Sequence, residues 1–98
     1  MKPCKKIEIV VEETIASRVS GLLKELGAPG FTMIRRASGM GDRGARRADD
    51  PTGSATNTVF VIACDQPDIV DAIVEGIRPV LSQYGGICLV SDANWVRH

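Results

Sequence analysis

Apolar and polar positions alternate from Lys6 to Glu12, with Ile7, Ile9 and Val11 on one side and Lys6, Glu8 and Glu12 largely on the other, which predicts a half-buried strand. From Thr14 the period changes. Ile15, Val19, Leu22, Leu23 and Leu26 recur at helical spacing and Gly27 follows as a stop, so Thr14–Leu26 reads as an amphipathic helix. Ala28-Pro29-Gly30 turns the chain into a second strand, Phe31–Arg36, with Phe31 and Met33 facing one way and Thr32 and Ile34 the other. Thr58–Cys64 is almost wholly apolar and suits a central strand covered on both faces. Asp65 is placed to cap the helix that follows, whose stripe runs from Ile69 to Tyr84 with Pro67 in its first turn. Pro79 lies inside that stripe and predicts a kink or a loosened last turn near Arg78. Gly85-Gly86 ends the helix, Ile87–Val90 is a short last strand, and residues 91–98 read as a polar tail.

The order strand, helix, strand, strand, helix, strand is that of an α+β, ferredoxin-like βαββαβ sandwich, an antiparallel sheet with both helices on one face. Thr32, Phe60 and Ile62 suggest that the other face is not fully polar, and such a face is commonly buried on another subunit.

Between the second and third strands lies a stretch that cannot be core. Residues 35–57 hold five of the eight arginines and four of the ten glycines, with Met40 as the sole large apolar side chain. The stretch reads as one long loop, and unstructured connections beyond about 12–15 residues are usually functional or disordered.

Composition sharpens this picture. At 98 residues the chain is read as a single domain, 1–98, and a domain of that size gains from oligomerisation. Lys plus Arg equals Asp plus Glu at twelve each, which argues against a general electrostatic grip on nucleic acid. Two Phe and one Tyr also give an RNA-reading sheet little to stack with. The charge is local instead, five arginines against one aspartate from Arg35 to Arg47. No span approaches the roughly 20 apolar residues of a membrane helix, and the chain is read as soluble and cytoplasmic. Cys4, Cys64 and Cys88 have neither C-x-x-C spacing nor an even count, so no disulfide framework or zinc site is suggested; Cys64 and Cys88 read as core thiols.

Chemically, Gly39 and Gly41 free the backbone to present successive N–H groups, and Gly44 lets the chain fold back closely. Arg43 and Arg46 have planar forks suited to phosphate or carboxylate oxygens. The block lacks the G-K-[ST] of a P-loop, and a solvated loop with scattered charge is the competing reading. No Ser-His-Asp, Cys-His or paired-carboxylate constellation emerges, so no catalytic residues are assigned. His98 reads as a solvated end, Asp49-Asp50 as a solvated acidic step, and Trp95 as packing over apolar surface or on a neighbouring subunit.

The blocks Lys5–Glu12, Gly27–Thr32, Gly39-Met40-Gly41-Asp42-Arg43-Gly44-Ala45-Arg46 and Tyr84–Leu89 resemble PII-like signalling proteins over Lys5 to about Val90. The G-x-G-x-R-x-x-R pattern is similar to that of the bicarbonate-linked branch, which acts with bicarbonate transporters or carboxysomes. The resemblance implies a cytoplasmic homotrimer that is not an enzyme, with adenine nucleotides in inter-subunit clefts and a T-loop at about residues 37–56 that docks on a transporter or carboxysome-associated target. It places Thr32 by the adenine, Gly39 and Gly41 along the phosphates, Arg43 and Arg46 on phosphate oxygens, and Gly85 and Gly86 in a second glycine loop beneath the nucleotide. Bicarbonate, which needs several convergent donors, would sit at the loop base with Gly41, Asp42 and Arg46.

The chain also departs from the nitrogen-control branch. The only Tyr is Tyr84, so no T-loop tyrosine is available for uridylylation. Gln83-Tyr84-Gly85-Gly86 stands where those proteins carry a lysine-bearing phosphate loop, which favours ADP or AMP over ATP. Two alternatives stand beside this reading: a ferredoxin-like module for another metabolite or a metal, and a small acylphosphatase-like enzyme pairing a loop arginine with Asn57.

Overall fold

A computed structural model of the chain describes residues 1–41, 44–46 and 56–98, with side chains for residues 1–40 and 56–98. Strand β1 (Lys2–Glu12) leads through a 3-10 turn (Glu13–Ile15) into helix α1 (Ala16–Glu25). Strand β2 (Thr32–Ala37) is followed by two short strands, β3 (Gly39–Gly41) and β4 (Gly44–Arg46), then by β5 (Asn57–Cys64), helix α2 (Pro67–Tyr84) and β6 (Ile87–Trp95). The main sheet has the antiparallel order β2-β5-β1-β6, which is the ferredoxin-like arrangement expected from the sequence.

One face of the sheet packs on both helices. Ile7, Ile9 and Val11 of β1 and Phe60, Ile62 and Cys64 of β5 are buried against Val19 and Leu23 of α1 and Val70, Ile73 and Ile77 of α2. Phe31 meets Phe60 edge to face at 5.6 Å between ring centres. Phe60 and Ile62, expected to lend apolar character to the open face, are therefore core residues. In a strand that is apolar throughout, alternation gives no sign of which side faces the helices, and the register with β1 decides it: Ile9 opposite Phe60 and Ile7 opposite Ile62.

The open face belongs to the other parity. It carries Thr32 and Ile34 of β2, Val59 and Val61 of β5, Val10 of β1 and Ile87 and Leu89 of β6. Ile34, Ile87 and Leu89 each leave about half of their surface to solvent. A contiguous apolar patch of this kind marks an interaction surface.

Two local expectations are corrected. The expected 91–98 tail is strand as far as Trp95, because Lys2–Lys6 pairs with Ser91–Trp95 in register and lengthens β1 as well. Pro3 is tolerated there because the β1–β5 pairs begin only at Lys5, so its missing N–H faces no β5 partner. Asp65 does not cap α2; Gln66 holds that position without a side-chain cap, while Asp65 Oδ2 pairs with Lys2 Nζ at 2.6 Å. Helix α2 contains Pro79 and ends at Tyr84, with Gly85 following it as the sequence predicts. Arg18 of α1 ties its end down, donating to the Tyr84 hydroxyl at 2.9 Å with its guanidinium 5.3 Å from the ring centre.

Candidate functional site

The loop between β2 and β5 begins and ends on one carboxylate. Register passes from Ile34 opposite Val59 to Ala37 opposite Asn57, so β2 carries one residue more than β5 across this step, a bulge. Arg36 takes φ 60 there, a left-handed conformation that costs a side-chain-bearing residue about 1–2 kcal/mol. Its N–H is accepted by Glu13 Oε1 at 2.9 Å, while Arg35 Nε lies 3.5 Å from the same oxygen. On the other side of the loop the Thr56 hydroxyl donates to Glu13 Oε2 at 3.3 Å, and the Glu13 N–H donates to the Thr56 carbonyl at 3.0 Å. Only 12% of the Glu13 side chain is exposed. Burial alone would raise its pKa, yet the Arg36 N–H, the Thr56 hydroxyl and the Arg35 guanidinium outweigh that and hold it below the usual value.

The loop is not wholly irregular. Gly39–Gly41 and Gly44–Arg46 form a small antiparallel hairpin pairing Gly39 with Arg46, Met40 with Ala45 and Gly41 with Gly44. The backbones of Gly39, Gly41 and Arg46 thus come together in one ribbon. Asp42, Arg43 and Asp49-Asp50 lie outside the described residues, as does the side chain of Arg46.

Gly85 and Gly86 reach the same end of the sheet, because β6 begins at Ile87 opposite Val10 and β1 ends at Glu12 opposite Asn57. Both have positive φ, 82 and 110. A Cβ on Gly86 would come within 2.5 Å of the Val10 carbonyl oxygen and 3.1 Å of Val11 Cγ1, so this turn passes flush against β1 and accepts no side chain.

Thr32 is elsewhere. It pairs with Val61 at the start of β2, five residues and roughly 16 Å of strand from the loop base. It lines an open recess of about 410 Å³ with Pro29, Gly30, Val61, Ala63 and Trp95. The residues expected around one nucleotide therefore form two groups at opposite ends of the sheet: Gly39, Gly41, Arg46, Gly85 and Gly86 at one, Thr32 at the other.

Two residues of this geometry are not assigned to the site by the sequence. Glu13 directly follows the alternating strand, and an acidic pair at a strand end carries no signal that one member holds a loop. Trp95 reads from the sequence as packing over apolar surface or on a neighbouring subunit, and its place on the recess follows from the unexpected length of β6. Among the described residues, no group of three or more His, Cys, Asp or Glu is placed to hold a metal. None of their helices is long and apolar enough to cross a membrane.

Comparison with known proteins gives this arrangement its relatives. Two structures of CPII, a PII-like protein of Thiomonas intermedia K12, are both 25% identical to the chain. The one bound to ADP, AMP and bicarbonate has a TM-score of 0.81 and covers 98% of this chain and 96% of its own. The one bound to ADP and bicarbonate has a TM-score of 0.83, covering 97% and 90%. GlnK of B. subtilis, in its ATP complex, shares the fold at 17% identity and a TM-score of 0.62, over 95% of this chain and 84% of its own. PII-fold proteins form homotrimers, and they are generally non-enzymatic signalling proteins. Residues 4–98 match the family described as nitrogen regulatory protein P-II, so the sandwich, the long loop between β2 and β5 and the glycine turn before β6 have a common explanation: the chain belongs to the PII family.

Proposed function

We propose that the chain is a non-enzymatic signalling subunit that works as a homotrimer, binds ADP or AMP together with bicarbonate between subunits, and regulates inorganic-carbon uptake or fixation through residues 37–56. The observation that carries this reading is the separation of the two groups on one sheet. One nucleotide can touch both the Thr32 recess and the Gly85-Gly86 end only if they belong to different subunits, and the apolar open face between them supplies the surface on which subunits meet. The likeness to CPII, whose structures hold ADP, AMP and bicarbonate, supports the choice of ligands.

Gly39, Gly41 and the hairpin backbone supply N–H groups for phosphate, and Arg43 and Arg46 supply charge. Bicarbonate takes donors around Gly41, Asp42 and Arg46. Those donors converge only when the loop is gathered, so a nucleotide that orders it favours the second ligand, and linkage makes the effect reciprocal. Repulsion between bicarbonate and phosphate grows with phosphate number, which favours AMP or ADP over metal-free ATP.

Calorimetry with AMP, ADP and ATP, in bicarbonate against chloride at matched pH and ionic strength, tests the ligands. Arg43→Ala and Arg46→Ala should each cost about 1.5–3 kcal/mol, roughly ten- to a hundredfold in affinity. An absence of nucleotide binding would overturn the sensor reading, and nucleotide affinity indifferent to bicarbonate would overturn the coupling. A deletion strain should grow poorly in air and recover at elevated carbon dioxide; equal growth in both would remove the link to carbon supply.

A further inference from the structure

We infer that Trp95 forms the base-recognition wall of the nucleotide site, its indole stacking on the adenine in the recess that Thr32 lines. This rests on the reading of the chain as a nucleotide sensor and adds the residue that selects the base. Trp95 pairs with Lys2, beyond the last β1–β5 pair of Lys5 and Cys64, so no β5 residue is paired beneath it. The indole borders the open face with Val61 and Ala63, and it faces the Pro29-Gly30 turn across a recess of about 410 Å³, within the usual range of small-molecule sites.

The chemistry of that recess is divided in a way that suits a purine. Val61 and Ala63 give an apolar floor, and Trp95, 42% exposed, gives a flat aromatic wall. At Gly30 a Cβ would meet nothing within 4 Å, so the turn leaves open space at the rim. The exposed Thr32 hydroxyl can donate to a ring nitrogen or accept from an exocyclic amine. Among the described residues no Lys or Arg lines the recess, which suits it to the uncharged end of a nucleotide; on the proposed reading the phosphates go to the arginine-bearing hairpin of the neighbouring subunit. Packing on a neighbour, the alternative role for Trp95, would bury the indole in the trimer and leave no face for a base.

Trp95 is the only tryptophan, so the protein's tryptophan fluorescence reports on the surroundings of this one indole. The test is an ADP titration of the intact protein followed both by emission and by calorimetry, repeated with inorganic pyrophosphate, and then calorimetry on Trp95→Phe and Trp95→Ala whose circular dichroism matches the parent. Emission should change and saturate at the calorimetric affinity for ADP and stay constant with pyrophosphate. Trp95→Ala should lose about five- to a hundredfold in ADP affinity, the range for one base stacked on an aromatic ring, with Trp95→Phe in between and pyrophosphate affinity equal in all three. If ADP binds by calorimetry without altering the emission, the base lies elsewhere and the inference falls while the sensor reading stands. A Trp95→Ala loss shared by pyrophosphate would make Trp95 a scaffold residue and overturn the inference in the same way. If neither emission nor calorimetry detects ADP, the inference and the sensor reading fall together. Should Trp95→Ala not fold, the parent's emission and Trp95→Phe still decide.

Discussion

The Glu13 carboxylate accepts the backbone N–H of Arg36 at 2.9 Å, at the residue where β2 bulges away from β5. A bulge withdraws an N–H from the ladder, and a left-handed residue has to be held in place. One acid does both while its second oxygen receives the Thr56 hydroxyl from the far side of the loop.

The pH dependence of this clasp follows from its direction. The folded pKa of Glu13 lies below its ordinary value of 4.5, so its contribution to stability is present above that value and lost as pH falls through the folded one. The loop base should be insensitive to pH from about 6 to 8 and open only below the ordinary carboxylate range. The protection factor of the Arg36 amide followed against pH would show this, and in Glu13→Ala it should be low at every pH. Glu13→Gln, which keeps an acceptor for Arg36, should fall between them and lose the pH dependence.

Thr58 offers a stabilising change. It is fully buried, its pair on β1 is Val11, and its hydroxyl has no hydrogen-bond partner among the described residues. Thr58→Val keeps the shape and removes the unmet polar group, so it should raise stability by about 1 kcal/mol. A urea titration measures it, and an unchanged midpoint would mean the hydroxyl finds a partner in solution.

Gly86 and Gly27 should respond differently to alanine. Both have positive φ, 110 and 84, but a Cβ at Gly27 meets nothing within 4 Å whereas one at Gly86 meets the Val10 carbonyl oxygen. Gly27→Ala should cost about 1 kcal/mol from backbone conformation alone. Gly86→Ala adds a collision with backbone that cannot move without breaking the β1–β6 pairing, and should cost at least about 2 kcal/mol. Equal losses in thermal unfolding would show that the turn relaxes.

Leu89 stands on the open face beside Ile87, 55% exposed and paired with Glu8. Leu89→Glu places a second carboxylate opposite the first within an apolar interface, and should give a monomer by light scattering with ADP binding lost. A trimer that still binds ADP would move the subunit interface to another surface.

The sequence made the helix-facing side of β1 legible, and with it both helices, because Ile7, Ile9, Val11, Val19 and Leu23 follow the periods their elements require. It was silent where a strand is held by pairing rather than burial. Lys2–Lys6 and Ser91–Trp95 join through backbone bonds and the Lys5–Asp92 ion pair, and nothing in their hydropathy alternates to announce it. The sequence gives no sign of the Gly39–Arg46 hairpin for the same reason, since Met40 is the only large apolar residue in its three pairs and leaves no alternation to read. Asp65 reads as the α2 cap because the helix begins nearby, yet Lys2, which sequence distance hides, holds it instead. For the candidate site, Gly39, Gly85 and Gly86 could be named and brought together, but that Thr32 belongs to the far end of the sheet depends on register.

That separation has a genetic consequence. When each binding cleft takes the Thr32 end of one chain and the Gly86 end of its neighbour, two damaged alleles can repair each other. A chain impaired only at Thr32 still lends its glycine end, and a chain impaired only in the arginine-bearing hairpin still lends its recess, so a ring assembled from both contains an undamaged cleft. Co-expressing the two alleles should restore part of the phenotype that neither supports alone, whereas two alleles damaged at the same end should never complement.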